Sequence, residues 1–115
     1  MTDVKGLLIA AIETVVEDVY LQGTAPTEYP ASFATFWVSD VPDGSHFDNV
    51  VASYDWDFSV IYYSNDPALV QSEPEKIKNA LSAAGFIPQG RGRDIQSDKP
   101  EWTGWAMDFL FVERI

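Results

Sequence analysis

The sequence predicts an α+β fold, a small mainly antiparallel sheet with two helices packed on one face and long loops between. Three observations predict it. Residues Val4 to Val19 repeat apolar side chains at three- and four-residue steps, which marks a helix. The stretch Tyr54 to Tyr63, extending back as far as Val50, alternates until Ile61 and Tyr63 break the polar face, and its even positions Val50, Ala52, Tyr54, Trp56, Phe58, Val60 and Tyr62 are all apolar or aromatic. A second helical stripe, Ile77, Ala80, Leu81 and Ala84, ends at Gly85, a natural left-handed stop. With 115 residues and 46% hydrophobic content, the chain is expected to close one core as a single domain over residues 1–115.

In chain order, the first helix carries Glu13, Glu17 and Asp18 off its apolar stripe, as a solvated face does, and Gly23 is its expected stop. Pro26 and Pro30 then hold residues 24–30 out of regular structure. Ser32 to Ser39 is short, aromatic and β-branched, so a strand is expected, with Phe33, Thr35 and Trp37 on one face and Ala34, Phe36 and Val38 on the other. Asp40 to Asn49 contains Pro42, Asp43-Gly44 and Asp48-Asn49 and reads as a turn-rich connection longer than a tight hairpin needs. In the long strand that follows, Ser53, Asp55, Asp57 and Ser59 fill much of the odd face, which therefore meets water or another subunit.

Pro67 sits where a helix could begin. Ser72 and Glu75 stand at capping-box spacing with Pro74 between them, so the second helix is expected over Glu75 to Ala84, with residues 67–71 as a preceding turn. Phe86-Ile87-Pro88 reads as a short extended exit, and Gln89 to Thr103, rich in glycine, proline and charge, as a loop or a distorted edge ribbon. The last strand runs from about Gly104 to Glu113. It is apolar on both faces except at Asp108, which places it inside the sheet.

Eighteen acidic against seven basic side chains give a net charge of −11. That balance opposes binding to nucleic-acid phosphates, whose affinity comes from Lys and Arg releasing counterions. No cysteine is present, which excludes disulfides, thiolate metal sites and thiol nucleophiles. The amino terminus has no basic lead of a secretory signal, and no apolar run approaches a membrane span, so the expectation is a soluble, unprocessed chain with no membrane partner.

Catalytic arrangements are sparse. Asp55 and Asp57 share a strand face roughly 6.5 Å apart, a separation at which carboxyl pairs do acid-base work. Alternating aspartates on a polar strand face are more simply solvated. His46, the single histidine, stands near Ser45, Asp43 and Asp48, but a triad requires a spatial geometry that loop neighbours do not supply. Asp40, Asp43 and Asp48 lack the spacing of the twelve-residue calcium loop. Gln89-Gly90-Arg91-Gly92-Arg93 lacks the strand-loop-helix context of a phosphate cradle. Its arginines are expected to meet carboxylates, at Asp94 and Asp98 or on a neighbouring copy. No cofactor motif and no enzymatic activity are indicated. Trp102 and Trp105 flank the end of this stretch, and tryptophan and arginine are the residues that interfaces favour.

The segments Phe47-Asp48-Asn49, Trp56 through Pro67, Gly85-Phe86-Ile87, Gly90 through Ile95, Ser97-Asp98 and Thr103-Gly104 together resemble the tail terminator (tail completion, head-to-tail joining) proteins of long-tailed bacteriophages and prophages. The likeness covers most of the chain from about Phe36 onward, and its motifs are structural, not catalytic. It implies a virion protein that forms a ring, commonly a hexamer, at the head-proximal end of the tail tube. Such a ring stops tube polymerisation and joins the tail to the head connector. The implied partners are copies of the chain itself, the tail tube protein and the connector or neck protein, with DNA only passing through the channel.

The aromatic content and partly apolar sheet faces suit such closure against neighbours. Candidate interface residues are Asp43, Phe47, Asp48, Asp55, Asp57, Arg91, Arg93 and Trp102. The competing reading is an acidic inhibitor, immunity or DNA-mimic protein that presents carboxylates to a basic partner.

Overall fold

The computed structural model describes residues 3–44, 46–47 and 50–114. Two helices lie on one face of a sheet whose centre is a pair of twelve-residue antiparallel strands. Helix α1 spans Val4–Glu13, and the Asp3 carboxylate caps it by accepting the Gly6 amide at 3.0 Å. The apolar stripe had predicted a longer helix. It ends early because Thr14 turns its hydroxyl onto the Ala11 carbonyl, at 2.7 Å, at the head of a run of β-branched residues. Val16 still reaches the core, but Val19–Leu21 forms strand β1, at the sheet edge and parallel to the strand Ser32–Asp40.

Strand β2 (Ser32–Asp40) pairs antiparallel with β5 (Ser53–Ser64) from Ser32↔Ser64 to Val38↔Phe58. One extra residue, Ser39, then shifts the register, and pairing resumes at Asp40↔Asp57. The shifted register continues through Asp43↔Tyr54 to the short strands β3 (His46–Phe47) and β4 (Val50–Val51), paired His46↔Val51 and Phe47↔Val50. Most of the predicted long connection is therefore the distal part of one hairpin. Its turn residues could not reveal that, because ladder bonds ask nothing of the side chains that make them.

Helix α2 spans Pro67–Ala83, capped by the Asp66 carboxylate on the Ala68 amide at 3.0 Å. It starts two turns earlier than the Ser72 signal predicted. Asp66-Pro67 already supplies a cap and a preset first φ, and Pro74 is carried, buried, inside the helix. The helix closes with Phe86 N–H on the Leu81 carbonyl at 2.9 Å and Gly85 N–H on Ser82 at 3.1 Å, Gly85 holding φ +100°.

Strand β8 (Thr103–Arg114) lies inside the sheet as expected, between β5 and a broken edge formed by β6 (Ile87–Pro88) and β7 (Arg93–Gln96). The Gln89–Thr103 stretch is thus in part an edge ribbon. Leu8, Ile12, Ile77, Leu81 and Phe86 pack onto Phe36, Phe58, Val60, Tyr62, Met107 and Phe109, which makes the helix-covered face the core. Each such buried side chain contributes roughly 1.5–3 kcal/mol of transfer free energy.

Candidate functional site

The second face of the sheet was expected to be open to water or a subunit, and the structure closes half of it from within. Phe33 is 1% and Ile61 2% exposed although neither faces the helices. Phe33 stacks on Tyr63 with ring centroids 5.1 Å apart and meets Tyr29 at 4.8 Å and Tyr20 at 6.2 Å. Tyr29 in turn meets Trp102 edge to face at 5.7 Å. The Trp102 indole N–H donates to the Pro30 carbonyl at 2.9 Å, and Lys99 stands 4.8 Å above the Tyr29 ring. Segments before β2 and before β8 therefore fold over the sheet as a lid. Burial, helped by Tyr29 and Asp98, raises the Tyr63 phenol above its ordinary pKa.

The other half of this face, toward the hairpin's distal end, is lined differently. Asp40 and Asp57 are cross-strand partners there, Asp55 stands opposite Val112, and Asp57 stands opposite Leu110. Asp55 and Asp57 share one face as the alternation predicted and are half-buried. Asp43 lies across from Tyr54 on an exposed stretch of the same hairpin. Phe47 belongs to β3, and Asp48 lies outside the described residues. Beyond Ser53, where β8 ends at Arg114, the hairpin continues as two strands.

Arg93 and Arg91 sit on the opposite edge. Arg93 pairs with Asp108 at 3.1 Å, not with the expected Asp94 or Asp98. The reason is register: Arg93 opposes Ala106, which puts it on the Asp108 face of the ladder, while Asp94 points to the other side. Ser59 donates to the second Asp108 oxygen at 2.9 Å, so this carboxylate ties three strands together. Trp105 donates its indole N–H to the Arg91 carbonyl at 2.8 Å.

An open groove of about 950 Å³ runs between the first half of α2 and the chain from Asp94 to Gly104, walled by Pro67, Val70, Ile95, Lys99 and Trp102. Its hydroxyls, on Ser97 and Thr103, have no imidazole among the groove's lining residues. Among the described residues no group of three or more His, Asp or Glu side chains could hold a metal ion, and no helix is long and apolar enough to cross a membrane.

Of the predicted residues, the structure gathers Asp43, Asp55 and Asp57 at one end and Arg91 and Arg93 at the other, and it places Trp102 in the aromatic lid. The lid itself went unpredicted. Its signal was the scatter of Tyr20, Tyr29 and Trp102 outside the recognised strands.

No protein-family model and no curated sequence matches the chain. Among solved structures the fold is similar to that of a chain from the virion of a native gene transfer agent particle. The TM-score is 0.55 and the identity 14%, over 94% of this chain and 84% of that one. At that identity the likeness is one of fold.

Proposed function

We propose that this chain is a structural subunit of a phage-type virion, assembling as a ring on the head-proximal end of a tail tube, where it ends polymerisation and meets the head connector. The observation that carries the reading is the fold shared, over 94% of this chain and 84% of the other, with a component of a virion particle. Its agreement with the tail-terminator resemblance read from the sequence supports it independently of fold. The molecule is built for contact and not for turnover: a 53 Å long body, short sheet edges of two to four residues, and a two-stranded end. In a ring, the acidic excess turned to the lumen would repel DNA phosphates and let a genome pass without sticking.

The test is to assemble tails in the presence and in the absence of this chain. The expected result without it is tubes of unregulated length that do not join heads. Tubes of normal length joined to heads would overturn the reading. Replacing lumen carboxylates by lysine with no change in DNA passage would remove the channel part alone.

A further inference from the structure

The charges of this chain are segregated along its length. Between Lys5 and Lys76 there is no basic residue and there are twelve acidic ones, whereas residues 76–115 hold six basic and five acidic side chains. The fold converts this into an acidic end and an edge where cations and carboxylates mix. Asp40, Asp55 and Asp57 cluster on the far part of the β2–β5 hairpin, opposite Leu110 and Val112 of β8. Lys76, Lys78, Arg91, Arg93 and Lys99 lie on α2 or around β7, a strand that pairs with Thr103 to Ala106, while Lys5 lies on α1 and Arg114 ends β8 opposite Ser53. The cation-bearing wall at Trp105 and Met107 stands about five residues along β8 from Leu110 and Val112, roughly 17 Å of strand rise.

Among the described residues, three of the seven cations are engaged within the chain. Lys76 pairs with Glu73 at 3.0 Å, Arg93 with Asp108, and Lys99 reaches the Thr27 carbonyl and the Tyr29 ring. Lys78 and Arg91 form no ion pair and no side-chain hydrogen bond among the described residues. Both line one cavity of about 350 Å³, with Trp105, Glu75 and Asp94 also in its wall. Arg91 is held there by its backbone, through the Trp105 indole.

We infer that copies of this chain join head to tail, the acidic hairpin end carrying Asp55 and Asp57 of one copy seating on the α2–β7 edge of the next, against Lys78 and Arg91. The inference rests on the ring reading and specifies its contact. The two ends are too far apart to neutralise each other within one molecule. A two-fold contact through the acidic end sets like charge against like, whereas a head-to-tail contact sets Asp55 and Asp57 against Lys78 and Arg91, and repetition of it closes a ring when the rotation allows.

The test uses two charge-swapped forms of the full chain, Asp55→Lys with Asp57→Lys and Lys78→Glu with Arg91→Glu, each checked for wild-type thermal unfolding. Self-association is read by native mass measurement and sedimentation, alone and on tail tubes. Wild type is expected to assemble and to weaken as salt rises, and each swapped form to associate on the order of a hundredfold more weakly. An equimolar mixture of the two is expected to reassemble with the forms alternating one to one, since every contact is then complementary. Assembly of either form at wild-type strength, or a folded mixture that stays dissociated, overturns this contact and leaves the ring standing. Wild type that never associates, alone or on tubes, overturns the ring as well. Capture of a basic protein by the Lys78→Glu, Arg91→Glu form, without assembly of wild type, favours the inhibitor reading and overturns both.

Discussion

Trp102 and Pro30 are 72 positions apart in the chain and are joined by an indole-to-carbonyl hydrogen bond of 2.9 Å. This bond fastens the segment before β2 to the segment before β8 and so closes the aromatic lid over Phe33 and Tyr63. Trp102 is half-buried, and its ring edge also supports Tyr29.

Trp102→Phe keeps most of the ring contact and deletes the donor, which leaves the Pro30 carbonyl to find water. A loss of roughly 1 kcal/mol is expected. Trp102→Ala removes the support of Tyr29 as well, and a loss of about 3 kcal/mol is expected. Urea denaturation of the two variants measures both values. Equal losses would show that the hydrogen bond, and not the packing, holds the lid.

How much of this was readable beforehand depends on what each element asked of its side chains. The core strands were legible because burial on one face forces the alternation seen at Trp56, Phe58, Val60 and Tyr62. The stop at Gly85 was legible because a left-handed closure selects glycine. The Ser39 bulge was not, since an extra residue in a ladder needs no particular side chain. Strand β1 was hidden because Val19 happens to continue a helical spacing that Thr14 had already broken. At the candidate site, the shared face of Asp55 and Asp57 followed from period two alone. The Arg93–Asp108 pair did not, because it depends on which register β7 takes against β8.

Gly92 and Gly90 separate backbone strain from steric conflict. Both have positive φ, +101° and +88°. A Cβ on Gly92 would stand 2.3 Å from the Trp105 indole nitrogen and 2.4 Å from the Ala106 carbonyl oxygen, whereas one on Gly90 meets nothing within 4 Å. Gly90→Ala is therefore expected to cost only the left-handed strain, about 1 kcal/mol. Gly92→Ala must also push β7 off β8, so a loss above about 2 kcal/mol is expected. Faster amide exchange across Arg93–Gln96 should accompany it, and similar behaviour of the two variants would mean that β7 is not held by this close approach.

The raised Tyr63 pKa makes stability depend on alkaline pH with a definite sign. Its phenol is harder to ionise in the folded protein, chiefly because it is buried and secondarily because of Tyr29 and Asp98. Between the unfolded value of 10.0 and the higher folded one, the native state binds more protons than the unfolded state. The contribution of Tyr63 is thus fully present below the unfolded pKa and is lost as pH rises from there through the folded pKa. Tyr63→Phe keeps the stack on Phe33 and removes the titrating proton, so its unfolding midpoint should fall less steeply above about pH 10 than that of wild type. Urea midpoints from pH 8 to 11 on both proteins provide the comparison, and parallel curves would show that other groups, not this phenol, govern alkaline unfolding.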